Sequence, residues 1–252
     1  MTPTEAQQHA LDTLEQLGSK PVVLRENAKL PNPAKIHIAS AAEPAHVLTY
    51  QSSAAAELPY LVCFQCGFAE RSLQAAPDER FNVASTSESY SFVQTLVSQM
   101  NLIPQHSVAT YSQMITDGLG TQLRSMPIGI RVDRMLYQNH PELREMQKVI
   151  AERQLKESAG CLHPTIKAMA PELFFRASVG MNAAFALAWS RLWGDDTHVV
   201  PYRLAGHIGI GEKLLELLDS VPVSPTHDRE LVTMWAKLLG VEHLYQIGPV
   251  GL

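Results

Sequence analysis

The sequence predicts an α+β fold in which a small, mostly antiparallel N-terminal sheet packs on a buried helix and a helical bundle follows. Two-residue alternation is confined to the stretch between residues 21 and 50. A stretch from 59 to 73 is apolar around most of a helical circumference, as a central buried helix is. Beyond residue 85 the pattern reads as helix, punctuated by glycine and proline. With no internal repeat and no long linker, the 252 residues read as one domain. Residues 1–84 would hold the first helix, the sheet and the buried helix, and 85–252 the bundle.

Residues 4–18 form an amphipathic helix with Leu11, Leu14 and Leu17 on one face and Gly18 at its end. Strands follow at Pro21–Arg25, Lys35–Ala39 and His46–Tyr50, separated by gaps that Pro31, Pro33 and Pro44 punctuate. The helix from Pro59 to Leu73 has its proline in the first turn, where a missing N–H costs nothing. Ser85-x-x-Glu88 is a capping box opening a helix to Met100. Between Ser107 and Met126, Val108, Tyr111, Ile115, Leu119, Leu123 and Met126 make one stripe, and a separate short helix covers Arg131–Gln138. Further helices cover Pro141–Lys156, Pro171–Trp193 with Gly194 as its stop, Gly211–Asp219, and Asp228–Leu239 with Gly240 as its stop.

Composition excludes several classes. With 46% hydrophobic and 18% charged residues the chain is long enough for a sizeable core. A net charge of -5, with no basic stripe, disfavours autonomous nucleic-acid binding. Its three cysteines are too few and odd in number for a disulfide framework, which points to a reducing compartment. The start, Met1 to Ala10, lacks the pattern of a signal peptide, and no segment is apolar for the length of a membrane span. The expectation is a cytoplasmic protein, bacterial in style.

Chemistry concentrates in Phe64-Gln65-Cys66-Gly67-Phe68. This frame resembles H-E-x-x-H, in which two histidines on a helix hold zinc and a glutamate acts as general base. The approach Tyr60-Leu61-Val62 and the spacer Cys66-Gly67 suit the resemblance, which extends to the element order across residues 1–160. The chain thus resembles a zincin-like metallopeptidase domain with its diagnostic residues replaced. The resemblance implies a third acidic ligand near Asp133, and relatives that work beside regulators in stress and defence settings. Phenylalanine has no lone pair for zinc, and Gln65 cannot take a proton from water as a carboxylate does. The same five residues also read as plain core. Either way the expectation is no zinc, no cofactor and no peptidase activity.

Other candidates are weaker. Cys63-Phe64-Gln65-Cys66 has redox spacing but lies inside an apolar helix, where thiols are inert, and Cys66 is the one candidate nucleophile. Gly206-His207-Ile208-Gly209-Ile210-Gly211 precedes a helix and offers free N–H groups to an anion, and Asp195-Asp196-x-His198 carries possible metal ligands. Gln65, the one polar side chain mid-helix, needs partners, and Gln122, Arg124, Arg131 and Asp133 are read as converging on it in a polar pocket. Met135, Met146, Met169, Met181, Trp189, Trp193 and Trp235 are candidates for an adaptable partner surface. The leading reading is a catalytically inactive scaffold that binds another protein. The competing ones are a non-metal hydrolase using Cys66 or a histidine, and a small-ligand module floored by Phe64 and Phe68.

Overall fold

A computed structural model describes residues 4–249; Met1–Pro3 of the N-terminal stretch lie outside the described residues. The fold is α+β, 70% helical, with a small sheet near its N-terminus. The chain divides into two compact units. Among the described residues the first holds 4–80 and 131–152, and the second holds 81–130 and 153–249.

In the first unit, α1 (Glu5–Gly18) opens where the Thr4 hydroxyl accepts the Gln7 N–H at 3.1 Å. It ends at Ser19, whose φ of 52° turns the chain out of the helix. Three strands follow, β1 (Val22–Glu26), β2 (Ala34–His37) and β3 (His46–Tyr50). Their spatial order is β1-β3-β2, with β3 parallel to β1 and antiparallel to β2. The sheet is therefore mixed rather than mostly antiparallel. The reason lies in burial: β3 buries His46 and Leu48, whereas β1 is exposed along most of its length. The strand that must be shielded takes the centre, and after two reversals it runs with β1.

Helix α2 (Leu58–Gln74) has proline in its first turn and packs on α1, β2 and β3. It buries Tyr60, Leu61, Val62, Cys63, Cys66 and Ala69, while Phe64, Gln65 and Phe68 share a half-buried face.

The second unit contains two strands that the helical reading of this region misses. These are β4 (Phe81–Ser85) and β5 (Tyr245–Pro249), which pair antiparallel. Helix α3 (Ser87–Met100) starts one residue later than the capping box suggests, with the Thr86 hydroxyl accepting from the Ser89 N–H at 3.1 Å. The two helices expected on either side of Pro127 are one, α4 (Val108–Asn139), with the proline inside it. An interior proline costs about 3 kcal/mol. Burial of Ile128, Ile130, Val132 and Leu136 just beyond it favours continuing the helix.

After α5 (Arg144–Ala159) and the short α6 (Pro164–Met169) comes α7 (Glu172–Trp193), whose interior is largely alanine. The short α8 (Val200–Leu204), α9 (Ile208–Ser220) and α10 (Asp228–Leu239) complete the unit. Gly194 and Gly240 end α7 and α10 with φ of 69° and 72°, as expected of left-handed stops. Met181, Trp189 and Trp235 are fully buried, so these members of the expected partner surface are core.

Helices α7 and α9 cross where side chains are missing. A Cβ on Gly211 would stand 2.8 Å from the Ala183 carbonyl carbon and the Ala184 nitrogen, and one on Gly180 would stand 2.5 Å from Ile210. Replacing Gly211 with alanine should therefore destabilise the protein by about 1–3 kcal/mol, because the obstacle is backbone. Gly209→Ala, whose Cβ meets nothing within 4 Å, should change stability by less than about 1 kcal/mol. Paired urea denaturation curves check both.

Candidate functional site

The half-buried face of α2 is the natural place to look for chemistry. Gln65 lies at its middle, and both ends of its amide are bonded. Its Oε1 accepts the Ile36 N–H at 3.2 Å, and its Nε2 donates to the Ala34 carbonyl at 3.3 Å. These two backbone groups lie on one edge of β2, so the amide binds the strand as a neighbouring strand would. Where side chains were expected around Gln65, its partners are backbone groups of the strand beside α2, which the spacing of side chains does not reveal.

Phe64 and Phe68 flank this amide one turn apart, and the Tyr60 ring lies 6.0 Å from that of Phe64 at 48°. Cys63 and Cys66 turn inward as free thiols. Burial, aided by the negative charges of Glu142 and Glu70, pushes the Cys63 thiol up to about 12. Burial raises Cys66 further still, which leaves no thiolate there for nucleophilic work.

Asp133 is 4% exposed and holds three helices together. From α2 the Tyr60 hydroxyl donates to its Oδ1 at 2.7 Å. From α5 the Gln147 Nε2 donates to the same oxygen and to the Asp133 carbonyl, each at 3.0 Å. Loss of solvent raises the carboxyl to about 7 against the lowering effect of these two donors. Tyr60 and Gln147 were invisible as partners in the sequence. The signal for Gln147 was there: it is the lone polar member of the inward positions Gln147, Ile150, Ala151 and Leu155 on α5.

Gln122 belongs to a separate chain of hydrogen bonds in the second unit. Its Oε1 accepts from the Ser178 hydroxyl at 2.9 Å and its Nε2 donates to Asn182 Oδ1 at 2.7 Å. Asn182 in turn donates to the Cys161 sulfur at 3.3 Å. Arg124 is held below its ordinary value by burial, and Arg131 is buried within the first unit.

The two remaining motifs are structural. In the glycine-rich segment Gly211 serves the α7–α9 crossing, and the His207 ring lies edge-on to Phe175 at 5.4 Å. Asp195 accepts from Thr197, and Asp196 accepts from Ser190 and from Arg203. Among the described residues no three or more His, Cys, Asp or Glu side chains gather as a metal site. No helix among them is long and apolar enough to cross a membrane.

Fold and site together define an α+β protein whose central helix is tied to its neighbours by side-chain amides, a phenol and a buried carboxyl. Comparison with protein-family models, with curated proteins and with solved structures gives no match for this chain.

The buried carboxyl makes stability depend on pH with a definite sign. Between the ordinary value of 3.8 and the folded value of about 7, the native state keeps a proton that the unfolded chain has released. The contribution of Asp133 is present below that window and is lost as pH rises through it, at up to about 1.4 kcal/mol per pH unit. Asp133→Asn should flatten this fall in urea melts taken between pH 5 and 8. Tyr60→Phe should cost about 1–3 kcal/mol and move the fall to higher pH, since a donor that favours the carboxylate is gone.

Proposed function

We propose that this chain is a non-catalytic protein-interaction domain, a scaffold whose first unit keeps the element order of a zincin-like domain without its chemistry. The observation that carries the reading is the fate of Gln65. At the position of the catalytic base, an amide spends both its donor and its acceptor on the edge of β2. It is a structural tie: one N–H and one lone pair of the amide are spent on the strand. Asp133, the acid that the resemblance would make a third ligand, is likewise committed to Tyr60 and Gln147 inside the core. The buried, neutral Cys66 counts against the thiol-hydrolase alternative.

What α2 leaves partly exposed beside the Gln65 tie is apolar. Phe64 and Phe68 remain half-buried on one face, and aromatic side chains supply large contact area at little entropic cost in protein interfaces. The partner is accordingly read as another protein that meets this face.

Two measurements on purified protein test the reading. Metal analysis should find less than stoichiometric zinc; a full equivalent of zinc would overturn the proposal. Quantitative affinity purification from the native cell should recover a partner in near-stoichiometric amount, and Phe64→Ser should lose it while the melting temperature moves by only a few degrees. Retention of the same partner by Phe64→Ser would remove α2 as the interaction face.

A further inference from the structure

The connection between β2 and β3 is fastened at two points that respond differently to acid. At one point Glu43 Oε1 pairs with His37 Nε2 at 2.8 Å while its Oε2 accepts the Ser40 N–H at 2.7 Å. The Lys20 ammonium closes the same turn by donating to the carbonyls of Ser40, Ala41 and Glu43. These hydrogen bonds, led by the one from Ser40, hold the exposed Glu43 carboxyl down at about 2. This fastening keeps its charge through any mildly acidic range.

The other point is His46, the first residue of β3, whose ring is 1% exposed. Its Nδ1 accepts the Ala39 N–H at 2.9 Å. A ring nitrogen that accepts carries no proton, so the neutral ring bears its hydrogen on Nε2. Nε2 faces Gly18 at the end of α1, so closely that a Cβ there would stand 2.0 Å away, and it has no hydrogen-bond partner. The ring is thus fixed in one tautomer by one bond and has no room to rotate.

We propose that His46 is an acid-operated latch: proton uptake at Nδ1 breaks its bond to the Ala39 N–H and frees the β2–β3 connection at that end. The step takes one proton from solvent onto the Nδ1 lone pair and leaves two N–H groups facing each other. Groups from three neighbouring segments act on the charge that forms. Lys20 and His37 oppose it, and Glu15 on α1 favours it. The carbonyl end of α1 at Gly18 also favours a cation. Burial and the committed lone pair outweigh these attractions, and the ring is held below its ordinary value of 6.5. The sign follows. The stability His46 contributes is present above 6.5 and is lost as pH falls through the lower folded value.

The two fastenings predict a local response, readable in the intact protein. Nitrogen-15 shifts of the histidine rings, followed from pH 8 to 4.5, should show His46 with its hydrogen on Nε2 at pH 8 and a midpoint below 6.5. Over the same range the hydrogen-exchange protection of the Ala39 amide should fall by up to about tenfold per pH unit between 6.5 and that midpoint, and level off below it. Protection of the Glu43 amide, bonded to the Ser40 carbonyl at 3.1 Å, should hold. A hydrogen on Nδ1 at pH 8, a midpoint at or above 6.5, or Ala39 protection that ignores the titration would each overturn the latch. His46→Gln should abolish the step in Ala39 protection, and a surviving step would assign it to another group.

Discussion

The hydrogen bond from Tyr60 to the buried carboxyl of Asp133 is the constraint on which the first unit depends. It joins residues 73 positions apart in sequence and is the reason residues 131–152 belong with the sheet and α2. A carboxyl this deep costs several kcal/mol to bury unless it is hydrogen-bonded or neutral. The structure supplies both remedies, with donors from α2 and α5 and a proton affinity raised toward neutrality. Once Asp133 is in place, α4 has one rotation about its axis, which puts Val132 against Gly67 of α2. A side chain at Gly67 would meet Val132 at 3.1 Å. That glycine serves close helix packing.

Much of this was legible from residue order, and what was not has physical causes. Helices bounded by local chemistry were placed within a residue or two, as at Gly194 and Gly240, where only a left-handed stop is needed. The strands of the first sheet were found from their alternation, but their order was not. Order depends on which strand needs burial from both sides, and β3 wins only because of its side-chain contacts with α2 and its neighbours. Pro127 misled for the opposite reason. A strong local breaker was outweighed by the apolar residues that follow it, Ile128, Ile130 and Val132. β4 and β5 were missed because each is five residues long and the second contains glycine and proline.

The candidate site was half legible. Gln65 was recognisable as a polar side chain that must find partners, and it does. Its partners could not be read, because a backbone edge carries no sequence signature. The same holds for His46, whose acceptor role is fixed by the Ala39 N–H and whose confinement is fixed by Gly18. Gln122 has the same requirement, and its amide meets Ser178 and Asn182. Its amide orders Asn182, which then directs its own N–H groups toward Cys161 and the Ser158 carbonyl. In each case the residue type announces a hydrogen-bonding requirement, and long-range folding decides which group meets it.

Two of these requirements pull the first unit in opposite directions. Asp133 is comfortable when protonated, so its contribution weakens as pH rises from 3.8 to about 7. His46 is comfortable when neutral, so its contribution weakens as pH falls below 6.5. A protonated buried acid and a deprotonated buried base coexist only where these ranges overlap, between the lowered value of His46 and about 7. Neither group can widen the overlap alone. Raising Asp133 further by removing Tyr60 would forfeit the bond that assembles the helices, and lowering His46 further would require stripping away Glu15, which also pins the start of β1 through the Val22 N–H at 2.7 Å. The proton window therefore follows from the same contacts that build the unit.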